Sequence, residues 1–458
     1  MHFCSSDFEE AGMHARRRST RSIGSPLLWS IVGTALLLAT LLGAGTAGAT
    51  TPAWQVDISY PPSQVGALHG IACPSSTVCY VAAGDSVLVT TNAGATWSPQ
   101  SVPSGVTTLR DVGCSSVDDC VAMGGTSTTG EIVWTDDAGS TWTSATPPAG
   151  QIGLAGVSCA PATSDCIGVL AFNDVAPFII STDGGSSWTT IASPGVSGDF
   201  DGVTCLSAAD CVAVGDNGTS HDAAYTTDGG SSWSYSTLPS GVNGLQGVAC
   251  TSTSDCLAVG GNPAQPGYVL TTSNGAVSWS QATVPAGIAS LNAVACLSST
   301  DCIAVGSPDN GVAVILGSSD GGTTWTSQAP PSSSAEIGGV ACPPTAGCVA
   351  VGSANVSPDN GGQIIQDFTP PLTVTTTSLP AATPGTRYDQ TLTAAGGTPP
   401  YTWKLLAGSK LPKGLKLHKG SGVISGTPKN DAKSETFTVE VTDSADETAT
   451  ATLTIAVS

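Results

Sequence analysis

Carboxylates are the most plentiful reactive groups in this chain. Asp85, Asp111, Glu131, Asp174, Asp199, Asp201, Asp216, Asp222 and Asp309 all fall in segments read as loops on one side of a repeating unit. Two such groups about 5 to 10 Å apart across a cleft are the machinery of glycoside hydrolysis. Asp216 and Asp222, on either side of one short turn, are the candidates for such a pair. A glycan cleft also needs stacking aromatics. Most tryptophans here recur at one place in the repeat and serve the fold, which leaves Trp134, Phe172, Phe178, Phe200, Tyr225 and Tyr268. The inventory favours binding over catalysis.

Other chemistry is thinner. The turns GDNG (215–218), SPDNG (307–311) and SPDNGG (357–362) occupy one equivalent place in the repeat. Their oxygens could take calcium, but Asp-Asn-Gly is also a good hairpin turn, which accounts for them without a metal. No Gly-rich phosphate loop, HExxH pair or nucleophile elbow occurs. Between residues 50 and 370 there are 24 acidic residues and one basic one, Arg110. That balance excludes a nucleic-acid partner, because phosphate backbones need cations.

The elements that hold these groups are short strands. The chain has 458 residues, 56 of them Gly and 30 Pro, and its apolar residues come in runs of three to six bounded by Gly, Pro, Ser and Asp. Such punctuation without helical spacing predicts an all-β protein. Before the strands, an arginine-rich stretch (16–21), an apolar run (26–42) and GAGTAGA ending at Ala49 have the pattern of a secretory signal. Residues 1–49 are therefore expected to be a signal peptide, or, if uncleaved, an N-terminal anchor and the protein's only route to a membrane.

Export bears on the cysteines. Beyond Cys4 there are 14, spaced as Cys73/Cys79, Cys114/Cys120, Cys159/Cys166, Cys205/Cys211, Cys250/Cys256, Cys296/Cys302 and Cys342/Cys348. An even count in regular pairs outside the cytoplasm predicts one disulfide per pair. Each closes a small ring, which loop entropy values at roughly 2 kcal/mol.

Successive first cysteines are 41 to 46 residues apart. That period is long enough for four short strands with their turns, the content of one propeller blade. In residues 244–285, LQGVAC, CLAVGG, YVLTT and SWSQATV read as the four strands, and the cysteine pair brackets the first turn. Trp54 precedes the first unit, whereas the last unit has no downstream Trp. AWQVDIS (53–59) should therefore complete the last blade and close a ring of seven.

The segments TTNAGATW (90–97), TDDAGSTW (135–142), STDGGSSW (181–188), TTDGGSSW (226–233), TSNGAVSW (272–279) and SSDGGTTW (318–325) resemble the Asp-box of sialidase-like and photosystem-assembly-factor-like β-propellers. The resemblance implies that Asn92, Asp137, Asp183, Asp228, Asn274 and Asp320 fasten the turn between third and outer strands, and that any active face lies on the opposite side. It also implies a test that this sequence fails as a sialidase. A substrate carboxylate would need several arginines, and only Arg110 is present.

After residue 370 the composition changes, and all seven lysines lie between Lys404 and Lys433. GGTPPYTW (396–403), LPKGLKL (411–417), GVISGTP (422–428) and TFTVEVTDS (436–444) resemble the bacterial putative-Ig, cadherin-like module. This implies a β-sandwich of about seven strands over 371–458. In related modules acidic strand ends bind calcium, and Asp443 with Asp446 or Glu447 is the counterpart here. No other cofactor is implied.

The expected protein is thus a secreted or cell-surface monomer with three parts: signal (1–49), propeller (50–370) and Ig-like module (371–458). It would present a propeller face to an extracellular protein or glycan. The alternatives are a glycoside hydrolase acting on a neutral glycan and an assembly factor for a membrane complex.

Overall fold

The computed structural model describes residues 54–59, 67–171, 177–191, 197–216, 222–242, 244–262, 265–288, 290–307, 313–343, 347–354, 361–367, 372–397, 400–443 and 447–458. The expected signal, Asp174, Asp309, Asp446 and Phe172 lie outside these residues, as do most of the two SPDNG turns. The described chain is all-β, without a helix.

Seven four-stranded antiparallel sheets account for most of it. In chain order they span 71–101 (sheet 1), 109–145 (2), 154–190 (3), 202–235 (4), 245–281 (5), 293–328 (6) and 334–366 (7). Sheet 7 supplies only three of its strands in sequence. Its fourth is Gln55–Ser59, paired antiparallel with Gly362–Gln366 so that Gln55 faces Gln366 and Ser59 faces Gln363. The early strand expected to close the last unit does so, and covers an edge that would otherwise be open.

Each sheet meets the next through a hydrophobic cluster, and the circuit returns on itself. Tyr80 and Val89 of sheet 1 share a cluster with Ala122 and Val133 of sheet 2; Val305 and Ile315 of sheet 6 share one with Ile337 and Ile365 of sheet 7. A further cluster joins Val351 and Ile364 of sheet 7 to Val81 and Leu88 of sheet 1. The outer-strand tryptophans are the largest wedges. Trp233 of sheet 4 stacks on Phe178 of sheet 3 with ring centroids 4.0 Å apart, and Trp97 of sheet 1 packs onto sheet 7. Every repeat buries its Trp against the sheet before it, so no unit is stable without a neighbour.

All seven expected disulfides are present: Cys73–Cys79, Cys114–Cys120, Cys159–Cys166, Cys205–Cys211, Cys250–Cys256, Cys296–Cys302 and Cys342–Cys348. Each pair brackets the first turn of its sheet, as expected, and the second cysteine of each pair is also a core residue. Cys79, Cys120, Cys166, Cys211, Cys256, Cys302 and Cys348 are all buried, each within a hydrophobic cluster between two sheets. Six of them open the second strand and Cys348 immediately precedes it; that strand has a partner strand on either side and a neighbouring sheet against its faces. Of the first cysteines, only Cys159 and Cys205 are buried to that degree. The sulfurs therefore fill core volume as small apolar groups as well as cross-linking, and none is a reactive group at a site.

The position of the disulfides fixes which ends of the sheets are equivalent. Cys256 pairs in register with Cys250 on one side and with Thr272 on the other, and Cys211 likewise lies between Cys205 and Thr226. The disulfide hairpin and the DGG-type turn therefore sit at the same end. Connections between second and third strands lie at the other.

The outer strands are shorter than the sequence suggests. SWSQATV pairs only through Ser280–Gln281, because Thr283 leaves sheet 5 to form a parallel bridge with Thr324 of sheet 6. The third strand of the same sheet begins earlier than expected, at Gln265.

Residues 372–458 form three small sheets: Thr373–Val374 with Ala394–Ala395; Tyr388–Thr391, Val423–Gly426 and Leu415–Leu417; and Thr402–Leu405, Glu435–Thr442 and Thr448–Ile455. One core of Tyr388, Trp403, Ile424, Phe437, Val439 and Leu453 lies between them. The alternation of FTVEV puts Phe437, Val439 and Val441 inward. Lys404 pairs with Glu440 at 2.5 Å and Lys410 with Glu435 at 3.4 Å on the exposed side.

Candidate functional site

The six DGG-type turns are built alike, and their chemistry is structural. In TTDGGSSW, the Thr226 hydroxyl donates to Asp228 Oδ1 at 2.8 Å while accepting the Gly230 N–H at 3.0 Å. Asp228 Oδ1 also accepts the Ser232 N–H at 2.8 Å, and Oδ2 accepts the Ser232 hydroxyl at 2.6 Å. Where Asn replaces Asp the last bond reverses: Asn92 Nδ2 donates to Thr96 Oγ1 at 2.9 Å. Gly229 and Gly230 have φ of 70° and 83°, and Ala138 is forced to 57° at the same place as Gly229. Hydrogen bonds from Ser232 hold the Asp228 carboxyl below its ordinary range, and bonds from Ser187 do the same for Asp183. These carboxylates are already occupied by their own turns.

The opposite side offers a different arrangement. The first strand of every sheet lines one central cavity of about 260 Å³. Aligned on the first cysteine of each pair, the units read HGIAC, RDVGC, AGVSC, DGVTC, QGVAC, NAVAC and GGVAC. The third residue is apolar and the last is a disulfide cysteine in all of them. The first residue is not held constant: it is His69, Arg110, Ala155, Asp201, Gln246, Asn292 and Gly338, and all seven line the cavity. They stand four residues before the disulfide, roughly 13 Å along a strand, toward the end away from the DGG-type turns.

The second column explains how the strands come close enough. A Cβ on Gly202 would lie 2.7 Å from Gln246 O, on Gly247 2.7 Å from Asn292 O, and on Gly339 2.3 Å from His69 O. Asp111 occupies this column in sheet 2, where its Oδ2 accepts the Val157 N–H at 2.9 Å. It ties two inner strands together rather than reaching for solvent, and burial pushes its carboxyl up to about 7.

In the variable column, Asn292 Nδ2 donates to Ile337 O at 2.9 Å and to Ser307 Oγ at 3.1 Å. The side chains of His69, Arg110, Asp201 and Gln246 make neither ion pair nor hydrogen bond among the described residues. Burial, with the charges of Asp199 and Asp216 nearby, raises Asp201 to about 6. Burial and the Arg110 guanidinium keep His69 below the usual imidazole range. Near neutral pH the ring thus presents one fixed cation, one carboxylate and neutral polar groups.

The carboxylates singled out from sequence divide between these settings. Asp201 and Asp111 line the cavity, and Asp199 and Asp216 are close enough to act on Asp201 electrostatically. Asp216 is exposed. Asp222 is fully buried, with Oδ2 accepting the Gly244 N–H at 3.2 Å, so it braces the connection between sheets 4 and 5. Glu131 fastens its neighbouring loop, accepting the N–H groups of Thr107 and Thr108 at 2.9 Å each. Trp134 packs in the cluster between sheets 2 and 3. Phe178, Phe200 and Tyr268 are buried.

In the C-terminal region, Asp443 is buried and clasps its hairpin turn: Oδ1 accepts the Glu447 N–H at 2.8 Å, and the Asp443 N–H donates to Glu447 O at 3.0 Å. No cluster of three His, Cys, Asp or Glu side chains suited to a metal occurs among the described residues.

Sequence reasoning missed His69, Gln246, Asn292 and the grouping of Arg110 with Asp201. Stacking the repeats on their first cysteine would have revealed it.

Comparison with known proteins bears on both regions. Residues 370–458 match the family described as "Putative Ig domain". No curated protein matches the chain. Among solved structures it is similar to YCF48 from Cyanidioschyzon merolae, at 14% identity and a TM-score of 0.50, over 69% of this chain and 98% of that one. It is also similar to the WD40 beta propeller domain of Doa1, at 11% identity and a TM-score of 0.50, over 68% and 96%. A third is the GH74 xyloglucanase from Xanthomonas campestris, at 14% and 0.50, over 72% of this chain but 58% of that one. At such identities the likeness carries the fold alone. The disulfides and the Ig-domain match are consistent with an extracellular protein. The repeated four-stranded sheets are those of a β-propeller, joined in one chain to an Ig-like domain.

Proposed function

We propose that this chain is an exported, non-catalytic binding protein, a seven-bladed Asp-box propeller (50–370) that holds an extracellular protein or glycan at its central cavity. Residues 1–49 direct export, and residues 371–458 form an Ig-like sandwich that spaces or attaches the propeller at a cell surface. The protein works as a monomer, without nucleic acid and without a required cofactor. It meets a membrane only through an uncleaved signal.

One observation carries this reading. A repeat that keeps its cysteines, turns and tryptophans nearly constant varies in chemistry at one of the columns that line the cavity. Structural duties would keep that column uniform, as they keep its neighbour Gly or Ala in six of the seven units; seven different residues suit recognition of an asymmetric ligand.

Glycoside hydrolysis of a neutral glycan is the second reading. Asp201, raised to about 6 beside exposed Asp216, is what favours it, because a general acid needs such a shift. Against it, Asp222 is committed to a backbone N–H, and among the described residues the large aromatics that could stack on a sugar are packed between sheets. An assembly role for a membrane complex rests only on the likeness in fold to YCF48. The purified chain should be screened against glycan and protein panels, with release of reducing sugar assayed in parallel. Binding without sugar release supports the proposal. Sugar release that is lost in Asp201→Asn would replace it with the hydrolase reading.

A further inference from the structure

Arg110 and Asp201 share one small cavity yet do not pair with each other. Both line it, the Arg110 charge acts on Asp201, and no ion pair within 4.0 Å joins them among the described residues. They sit on sheets 2 and 4, with Ala155 of sheet 3 between them in the same column, so the gap between the charges is left open. Gln246 and His69 add unused polar groups on either side of this pair. Ala155 and Gly338 keep the wall clear at two further points. Two opposite charges held apart in a confined site are satisfied together only by water or by a ligand with complementary charges at both ends.

We infer that the central cavity binds a small zwitterion bearing an α-carboxylate and an α-ammonium group, a free amino acid or a very short peptide. The inference rests on the binding reading above and narrows its ligand. Arg110 takes the carboxylate, for which a guanidinium offers paired parallel donors. Asp201 takes the ammonium. Gln246 and the free face of His69 meet whatever polar atoms the side chain carries. Size agrees: about 260 Å³ lies below the roughly 300 to 1,000 Å³ of pockets for larger ligands. Charge agrees too. The propeller region has 24 acidic residues against one Arg, so a net anion would be repelled at a distance, whereas a zwitterion with no net charge is not.

The test is isothermal titration of the full exported chain with a panel of common L-amino acids, alanyl-alanine, their N-acetyl and amide derivatives, and neutral sugars. The expected result is saturable binding by one or more zwitterions, and about tenfold or greater weakening when either end is blocked. Arg110→Gln should abolish the discrimination between an amino acid and its amide. Asp201→Asn should abolish that between an amino acid and its N-acetyl form. Tighter binding by the dipeptide would assign the site to peptides; tighter binding by the free amino acid would assign it to the monomer. The blocked derivatives decide the matter on the unmodified protein, so a misfolded variant does not leave it open. Blocked and free forms binding alike, or no binding by any zwitterion, overturns the inference. If a protein or glycan from the wider screen still binds and is lost on Arg110→Gln, the binding reading stands without it.

Discussion

The indole N–H of Trp54 donates to Oε1 of Gln328 at 2.6 Å, across 274 residues of sequence. Trp54 precedes the strand that completes sheet 7, and Gln328 ends the outer strand of sheet 6. Next to it, Asp57 Oδ2 accepts from Trp97 Nε1 and from Gln366 Nε2, each at 3.2 Å, linking sheet 7 to sheet 1. The beginning of the described chain is therefore the bolt that joins its first and last repeats.

Trp54→Ala should destabilise the propeller by about 3 to 5 kcal/mol, the usual cost of removing a buried large aromatic. Urea unfolding followed by the remaining tryptophans measures it. A change below about 1 kcal/mol would mean that the closing strand is dispensable.

Ala138 holds a left-handed conformation that Gly fills in four of the six equivalent turns. Ala138→Gly should raise stability by up to about 1 kcal/mol, because relief of the left-handed strain exceeds the entropy cost of Gly. Ala138→Val, which adds a β-branch at φ of 57°, should lower it. Thermal melts of the two variants should shift in opposite directions.

Stability should peak in mild acid, at about pH 4 to 5. Asp183, Asp228 and Asp320 have depressed carboxyl values, so their contribution is full above the unfolded value and is lost as pH falls through the folded one. Asp57, Asp111 and Asp201 are raised, to about 6, 7 and 6. There the folded state binds more protons than the unfolded one, so stability declines as pH rises from about 4 toward 7. Asp111→Asn keeps an acceptor for Val157 and removes the buried charge. Its melting temperature should fall less between pH 5 and pH 8 than that of the unmodified chain.

Chelation should leave the Ig-like region unchanged. Asp443 already clasps Glu447 through the backbone, so EDTA should not move the unfolding transition. Asp443→Ala should lower it with or without calcium. A calcium-dependent rise in melting temperature that disappears in Asp443→Ala would instead make this turn a metal site.

The fold was legible because the landmarks it needs are backbone demands. Cysteines at hairpin ends, paired left-handed residues and a wedge Trp tolerate few substitutes, so they survive repetition. The pairing of the cysteines could be read from their spacing, but the burial of the second one could not, since it depends on the sheet packed against it. The outer strands were not legible in length, since an edge strand is set by how soon the chain crosses to the next sheet, as Thr283 does. The site was hardest to read. Asp222 has the sequence setting of an exposed loop acid, and only tertiary packing buries it. Arg110 and Asp201 are 91 residues apart and line one cavity because each stands at the same place in its repeat. A search for reactive residues in single segments separates them; superposing the repeats brings them together.

The most direct test of the central cavity as the functional surface is binding by the folded chain in which Arg110→Ala and Asp201→Ala are combined, set beside the unmodified protein against the same protein, glycan and small-molecule panels. The strongest specific ligand of the unmodified protein should be lost by the double variant while its unfolding transition is retained. Undiminished binding of that ligand by a folded double variant would contradict the account, and would move the functional surface away from the central cavity.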